Sequence, residues 1–345
     1  DKLRCRPFAS HPQVELAQAD VLDRTALTAA LTGCEAACYL VHSMFPGVRD
    51  FEDQDRRAAL TMRDAAAESG LERIVYLGGF VPDGDTLSEH LAGRAEVADA
   101  LSVEGGPELV WLGAAVIIGA GSTSFEMVRY VGDRFWVIPL PPWAEHRMDP
   151  ISVRDVLYYL LAAADPERVA AGAYDLVGPT TTTYRRLLGS YVRAAGERRA
   201  GIPVYDVVPK GIVGRLAGAA VPVPSGLAAD LIESLDHPMT ASDTVLGDYV
   251  PDPPDGLTSI DDAVAAAVSS PAPRPVDQLA DPHHLADSDP LWAGGDALRL
   301  RQMAGAVSPA GARTALGLID AVPGPVAGVL RTGLDMLLAV AKAVP

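Results

Sequence analysis

The chain is short of cysteine, of positive charge and of uninterrupted apolar runs, and each shortage removes a class of protein. Only three cysteines occur in 345 residues: Cys5, Cys34 and Cys38. An odd, small number gives no disulfide framework and points to a reducing compartment, so a cytoplasmic location is expected. Cys34 and Cys38 stand four apart with no second Cys or His pair at zinc spacing. They read as small apolar fillers, and no metal site is expected. Lysine and arginine number 28 against 45 acids, a net charge of −17. That field repels phosphate backbones, so no nucleic-acid partner is expected, and an anionic ligand would need locally placed donors. The longest apolar stretch, "VAGVLRTGLDMLLAVAKAV" (326–344), is interrupted by Arg331, Asp335 and Lys342. It therefore reads as an amphipathic helix and not as a transmembrane span. Peripheral membrane contact through 313–345 is the weaker reading, because the flanks are not basic.

What is present is an alternation of strand and helix patterns. "QVELAQA" (13–19) alternates and ends in "DVLD", reading as a strand and turn. "RTALTAALTGC" reads as a helix closed by Gly33, and "AACYLVH" (36–42) as a strand. "FEDQDRRAALTMRDAAAESG" (51–70) is a helix whose Phe51, Ala58, Ala59, Met62, Ala65 and Ala66 share one stripe. "RIVYLGG" (73–79) is wholly strand-like, "SEHLAGRAEVADALS" (88–102) helical, and "ELVWLGAAVIIG" (108–119) a strand entering a glycine turn. Thr123 to Glu126 has the spacing of a capping box. Later come a helix in "ISVRDVLYYLLAAA", a strand "GAYDLVG" (172–178), and helices at 182–196, 225–235 and 258–268, the last with Thr258 and Asp261 as caps. "SSPAPRPVDQLADPHHLADSDP" (269–290) has linker composition, and its His283 and His284 read as linker polarity. "WAGGD" (292–296) reads as a tight turn with a buried Trp. Strands separated by helices of 10–20 residues mean βαβ units around a parallel sheet, an α/β fold.

The order of these pieces resembles the atypical, extended branch of the short-chain dehydrogenase/reductase superfamily. It is similar to NmrA-like proteins and to the nucleotide-binding accessory subunit of respiratory complex I. "ADVLD" (19–23), "YLVHSM" (39–44), "IVYLGG" (74–79) and "PISVRDV" (150–156) carry the resemblance, over residues 10–265. It implies a Rossmann-type doubly wound parallel sheet with a smaller C-terminal α-rich part. The expected divisions are an NAD(P)-binding region at 1–200, a substrate or lid region at 201–270, and a linker with helical tail at 271–345. The family's first strand and Gly-x-x-Gly-x-x-Gly turn have no counterpart in these residues, so the resemblance leads us to expect a longer protein with a further N-terminal segment.

The resemblance also assigns residues. Asp20 and Val21 would meet adenine. Leu40, Val41, His42 and Ser43 would pass the nicotinamide-side ribose. Gly78, Gly79, Ala114 and Ala115 would approach the cofactor by their backbone, with Arg94 on the ribose. The family's Tyr and Lys, four residues apart on one helix, are replaced here by His90 and Arg94. Gly78 and Gly79 stand where the family has Ser or Thr, leaving Ser88 as a substitute. Asp155 reads as structural. Phe125, Met127, Trp136, Trp143 and Met148 could line an apolar substrate pocket or fill a core. Three functions remain open at this point. One is an NAD(P)-binding oxidoreductase, preference between NAD and NADP unassigned. A second is a sugar-nucleotide epimerase or reductase with His90 as its acid–base group. The third is a non-catalytic redox sensor or complex-assembly protein with a protein partner.

Overall fold

A computed structural model describes residues 9, 11–41, 51–80, 89–204, 238–290, 292–304, 309–320, 330 and 333. The elements follow the chain as α1 (Arg24–Leu31), β1 (Ala36–Tyr39), α2 (Phe51–Ser69), β2 (Arg73–Gly79), α3 (Glu89–Leu101), β3 (Glu108–Ala114), β4 (Ile117–Ile118), α4 (Thr123–Arg134), β5 (Val137–Leu140), β6 (Arg147–Met148), β7 (Ile151–Ser152), α5 (Val153–Ala163), β8 (Gly172–Leu176), β9 (Thr182–Thr183), α6 (Tyr184–Ala194) and β10 (Ala200–Pro203). Three more helices close the described part: α7 (Ile260–Val268), α8 (Gly295–Ala304) and α9 (Pro309–Asp320). The chain divides into two units that interleave along the sequence. The first comprises Asp1–Val116, Arg147–Thr181 and Glu233–Thr258. The second comprises Ile117–His146, Thr182–Ile232 and Ser259–Pro345.

The first unit is a four-stranded sheet in the order β1-β2-β3-β8, and every pairing is parallel. Parallel neighbours need a crossover, and α2 and α3 supply the first two. Their apolar stripes face one side of the sheet. Ala59, Met62 and Ala66 of α2 and Val97, Ala98 and Leu101 of α3 pack on Tyr39, Ile74 and Tyr76. Successive strand residues point to opposite faces, so Arg73 leaves by the other side. There it donates to the Ala163 carbonyl at the end of α5 (3.0 Å) and to the Val169 carbonyl (2.7 Å). Glu108 pairs with the same guanidinium. A strand covered on both faces must be apolar throughout, and β2 is, apart from this arginine, whose two terminal nitrogens are answered. Gly33, Gly70 and Gly196 end α1, α2 and α6 with φ of +85°, +76° and +69°. Asp155, fully buried, accepts from the Thr258 amide (2.8 Å) and hydroxyl (3.0 Å).

One strand expected from the sequence is absent. Residues 14–20 form no ladder, and Val14, Glu15, Ala17 and Gln18 are exposed. Alternation makes a strand only where a neighbour completes its hydrogen bonds, and β1 pairs with β2 alone among the described residues. That leaves β1 an edge, with Cys38 exposed and Leu40 57% exposed.

The second unit is helical, with one parallel pair, β5 and β10. Helices α4 and α6 meet closely because residue 132 is glycine. A Cβ there would lie 2.5 Å from the Tyr191 ring. The expected capping box is not formed. Ser122 is the N-cap of α4 and makes no side-chain cap bond. Glu126 turns inward, where it accepts from the Gly121 (3.1 Å) and Gly294 (3.0 Å) amides. Buried amides outside the helix compete for its carboxylate and win. At α7 the cap is Ser259, in reciprocal contact with Asp262 (3.1 and 2.6 Å), because Thr258 is held by Asp155. The linker-like stretch is packed: Leu285 and Ala286 are buried, Ser270 accepts from the Leu285 amide (3.0 Å), and buried His283 pairs with Asp281 (2.6 Å). Its prolines and aspartates make turns, and their polar groups are answered locally. The helix expected at 225–235 lies outside the described residues.

Candidate functional site

In open parallel sheets, ligands collect where the strands end at their carboxyl side. In the first unit that edge is built by Tyr39 at the end of β1, Gly78 and Gly79 at the end of β2, and Ala114 at the end of β3. The register sets Gly78 opposite Gly113 and Gly79 opposite Ala114. The two β2 glycines serve different ends. A Cβ on Gly78 would fall 2.7 Å from Trp111 Nε1 and 2.9 Å from the Tyr76 ring, so the absence of a side chain here makes room for two aromatic ones. A Cβ on Gly79 would meet nothing nearer than 3.9 Å, its neighbours being the Ala114 carbonyl and Arg94 Cγ. Gly79 is thus uncrowded, with the Arg94 side chain and a carbonyl at ordinary van der Waals distance from where a Cβ would stand.

Arg94 reaches that point from α3. The guanidinium lies beside the Tyr76 hydroxyl, which also donates a long bond (3.5 Å) to the Arg94 carbonyl. Tyr76 sits between Tyr39 (ring centroids 6.1 Å apart) and Trp111 (6.4 Å). Burial raises the Tyr76 pKa, while the Arg94 charge opposes the rise. Burial also lifts Tyr39, helped by the Asp55 carboxylate of α2. The Trp111 Nε1–H is buried and has no partner among the described residues. An orphaned donor of this kind normally costs about 1–3 kcal/mol, a cost consistent with a site that meets a polar ligand.

The sequence-predicted residues divide accordingly. Gly78, Gly79, Arg94 and Ala114 come together, with Ala115 following directly on β3. Val41 packs against the β1–β2 core, while Leu40 faces outward. Asp20 is exposed, its Oδ1 accepting from the Leu22 amide (2.9 Å) in a local turn, and Val21 is half-buried beside it. His42, Ser43 and Ser88 lie outside the described residues. His90 is in the first turn of α3, one helical turn before Arg94, and its side chain is outside them too. No group of three or more metal-ligating side chains occurs among the described residues. Of the suggested pocket lining, Phe125 and Trp143 pack edge-on against Tyr191 and Tyr184, and Trp136 is 55% exposed.

Sequence reasoning missed two sets of residues. Tyr39 and Tyr76 gave no signal beyond their apolar surroundings, and Asp55 none beyond the charged run that opens α2. The other set is a buried ionic network in the second unit. Arg134 forms a two-pronged pair with Asp296 (2.7 and 2.6 Å), whose amide donates to Asp133 (3.1 Å). Asp133 also accepts from the Tyr191 hydroxyl, and Arg129 donates to the Ala267 carbonyl (3.0 Å). The spacing Glu126, Arg129, Tyr130, Asp133 and Arg134 was the available clue, since it puts five polar residues on one helical stripe. Such a stripe is ordinarily solvated, so the sequence alone argued the opposite.

No family model and no curated protein matches the chain. Solved structures do. A nucleoside-diphosphate-sugar epimerase from Staphylococcus aureus superposes with TM-score 0.57 at 14% identity, covering 76% of this chain and 88% of that one. The Citrobacter triphenylmethane reductase complexed with NADP(H) gives 0.54 at 15% identity, covering 73% and 82%. An NADPH-dependent quinone oxidoreductase from Escherichia coli, complexed with NADPH, gives 0.52 at 19% identity, covering 73% and 83%. The fold is Rossmann-type. The Rossmann sheet expected from the resemblance is therefore present, and the cluster of Gly79, Arg94 and Ala114 stands at its carboxyl edge. Among the described residues, no helix is long and apolar enough to cross a membrane.

Proposed function

We propose that this chain binds NAD(P) at the carboxyl edge of its Rossmann sheet, as an oxidoreductase-type protein of the atypical short-chain dehydrogenase/reductase kind. One observation carries the reading: a Cβ placed on Gly79 would still stop 3.9 Å short of the Arg94 side chain and of the Ala114 carbonyl, its nearest neighbours among the described residues. A glycine with that free space lets a ligand lie on the backbone. A guanidinium beside it offers fixed donors to vicinal ribose hydroxyls. The unpaired Trp111 N–H adds a donor at the same edge. Bound there, NAD(P) would supply hydride chemistry. The chain's own part is to hold the ribose through Arg94 and to let the ring approach over Gly79. The solved structures similar in fold include proteins complexed with NADP(H) and NADPH, which supports the cofactor class.

Titration with NADPH and NADH, followed by nicotinamide fluorescence, tests the reading. Saturable binding is expected, and Arg94→Ala should weaken it roughly ten- to a hundredfold, the range of a hydrogen bond to a charged group. Absence of binding by either nucleotide refutes the reading. His90→Ala separates binding from chemistry. If His90 is an acid–base group, turnover falls while affinity holds.

A further inference from the structure

Tyr76 is a fully buried residue on the α2–α3 face of the sheet, among Tyr39, Ile74, Ala98 and Leu101. Volume alone would be met by phenylalanine. A hydroxyl taken into such surroundings costs free energy unless it is answered, and its neighbours are the Arg94 guanidinium and carbonyl. Arg94 has three flexible methylenes, and an arginine left free loses rotamer entropy when it closes on a ligand. Gly78 serves the same arrangement, because any Cβ there would displace Tyr76 or Trp111. Asp55 on α2 completes the surroundings by acting on both tyrosines of the stack.

We propose that Tyr76 is a positioning residue: its hydroxyl fixes the Arg94 guanidinium over the ends of β2 and β3, preorganised for ribose hydroxyls. The inference rests on the NAD(P) reading given above, and it goes further by assigning ribose affinity to a side chain that never touches the ligand. Preorganisation raises affinity by removing an ordering cost from the binding step.

The test is a double-mutant cycle on the full chain, measuring NADPH affinity by nicotinamide fluorescence for wild type, Tyr76→Phe, Arg94→Ala and the double variant. Tyr76→Phe should weaken binding roughly fivefold, about the worth of one neutral hydrogen bond. In the Arg94→Ala background it should do nothing further, since its route to the ligand is gone. A merely structural Tyr76 would weaken both backgrounds alike. Additive losses, or unchanged affinity in Tyr76→Phe, overturn the proposal and leave the NAD(P) reading intact. If wild type binds no nucleotide, both fall together. A second measurement needs no Tyr76 variant. The Arg94 Nε–H resonance of the ligand-free chain, assigned by its loss in Arg94→Ala, should report a rigid side chain. A mobile Arg94 before NADPH is added overturns the proposal.

Discussion

The two units solve the burial of polar groups in different ways. In the first, backbone ladders satisfy most buried donors and acceptors, and among the described residues buried side-chain polarity sits at separate points, among them Arg73 beneath the sheet, Ser152 capping α5, Asp155 holding Thr258, and Tyr76 beside Arg94. In the second, helices satisfy their own backbones and cannot bind one another that way. Glu126, Arg129, Asp133, Asp296 and Arg299 are all buried, and with Arg134 they join α4 to the segment that begins at Trp292. A sheet held by ladders can leave its strand ends uncommitted for a ligand. A helical unit held by ion pairs has its charged groups already engaged.

The sharpest way to break that contrast is to remove one charge from the network. Asp296→Ala removes the carboxylate paired with the Arg134 guanidinium, which is itself only 10% exposed. A loss of about 3–5 kcal/mol is expected, the usual cost of breaking a buried pair on one side. Chemical denaturation measures it, and a loss below about 1 kcal/mol would mean the network does not hold the second unit together.

A smaller effect separates two adjacent residues of the first unit. Gly78→Ala forces a contact with Trp111 and Tyr76 and should cost about 1–3 kcal/mol. Gly79→Ala, with nothing within 3.9 Å, should be nearly neutral in the same assay. Equal costs would show that Gly79 is also a packing glycine and that its uncrowded position beside Arg94 has no significance.

A further contrast between the units is in pH. Burial, and then the Asp296 charge, raise Asp133 from 3.8 to about 6. The folded state therefore holds a proton that the unfolded chain has released. Stability contributed by this group is full below the unfolded value and falls as pH rises between about 4 and 6. Burial raises Glu126 in the same direction. Thermal melts in that window should show the second unit losing stability with rising pH, and Asp133→Asn should flatten the slope. A wild-type profile flat throughout that window would show that the buried carboxylates of the second unit do not set its stability.

Much of the fold was legible because its signals are local. The β2 strand was read to the residue, Arg73–Gly79, because an unbroken apolar run between two helical patterns has one reading in an α/β chain. The glycines closing α1, α2 and α6 were legible from their positions after periodic segments. The failures were of another kind. The alternation at 13–19 looked like a strand, but a strand is a property of two segments, and its partner is not specified by its own residues. The capping box at Thr123 had correct spacing, yet Glu126 was drawn to amides 5 and 168 residues away. The Pro- and Asp-rich stretch looked like a solvated linker because composition does not record what packs over it.

By itself, then, the sequence determined the alternation of elements, the parallel sheet, and the helical spacing that puts position 94 one turn beyond position 90. These follow from short-range sterics and periodic burial. Only the tertiary structure decided that Gly78 is filled by aromatic rings while Gly79 is open, that Tyr76 stands against Arg94, and that charges from residues 126 to 299 are buried together. Each of these depends on which distant side chain arrives at a point in space, and that is settled by packing of the whole unit.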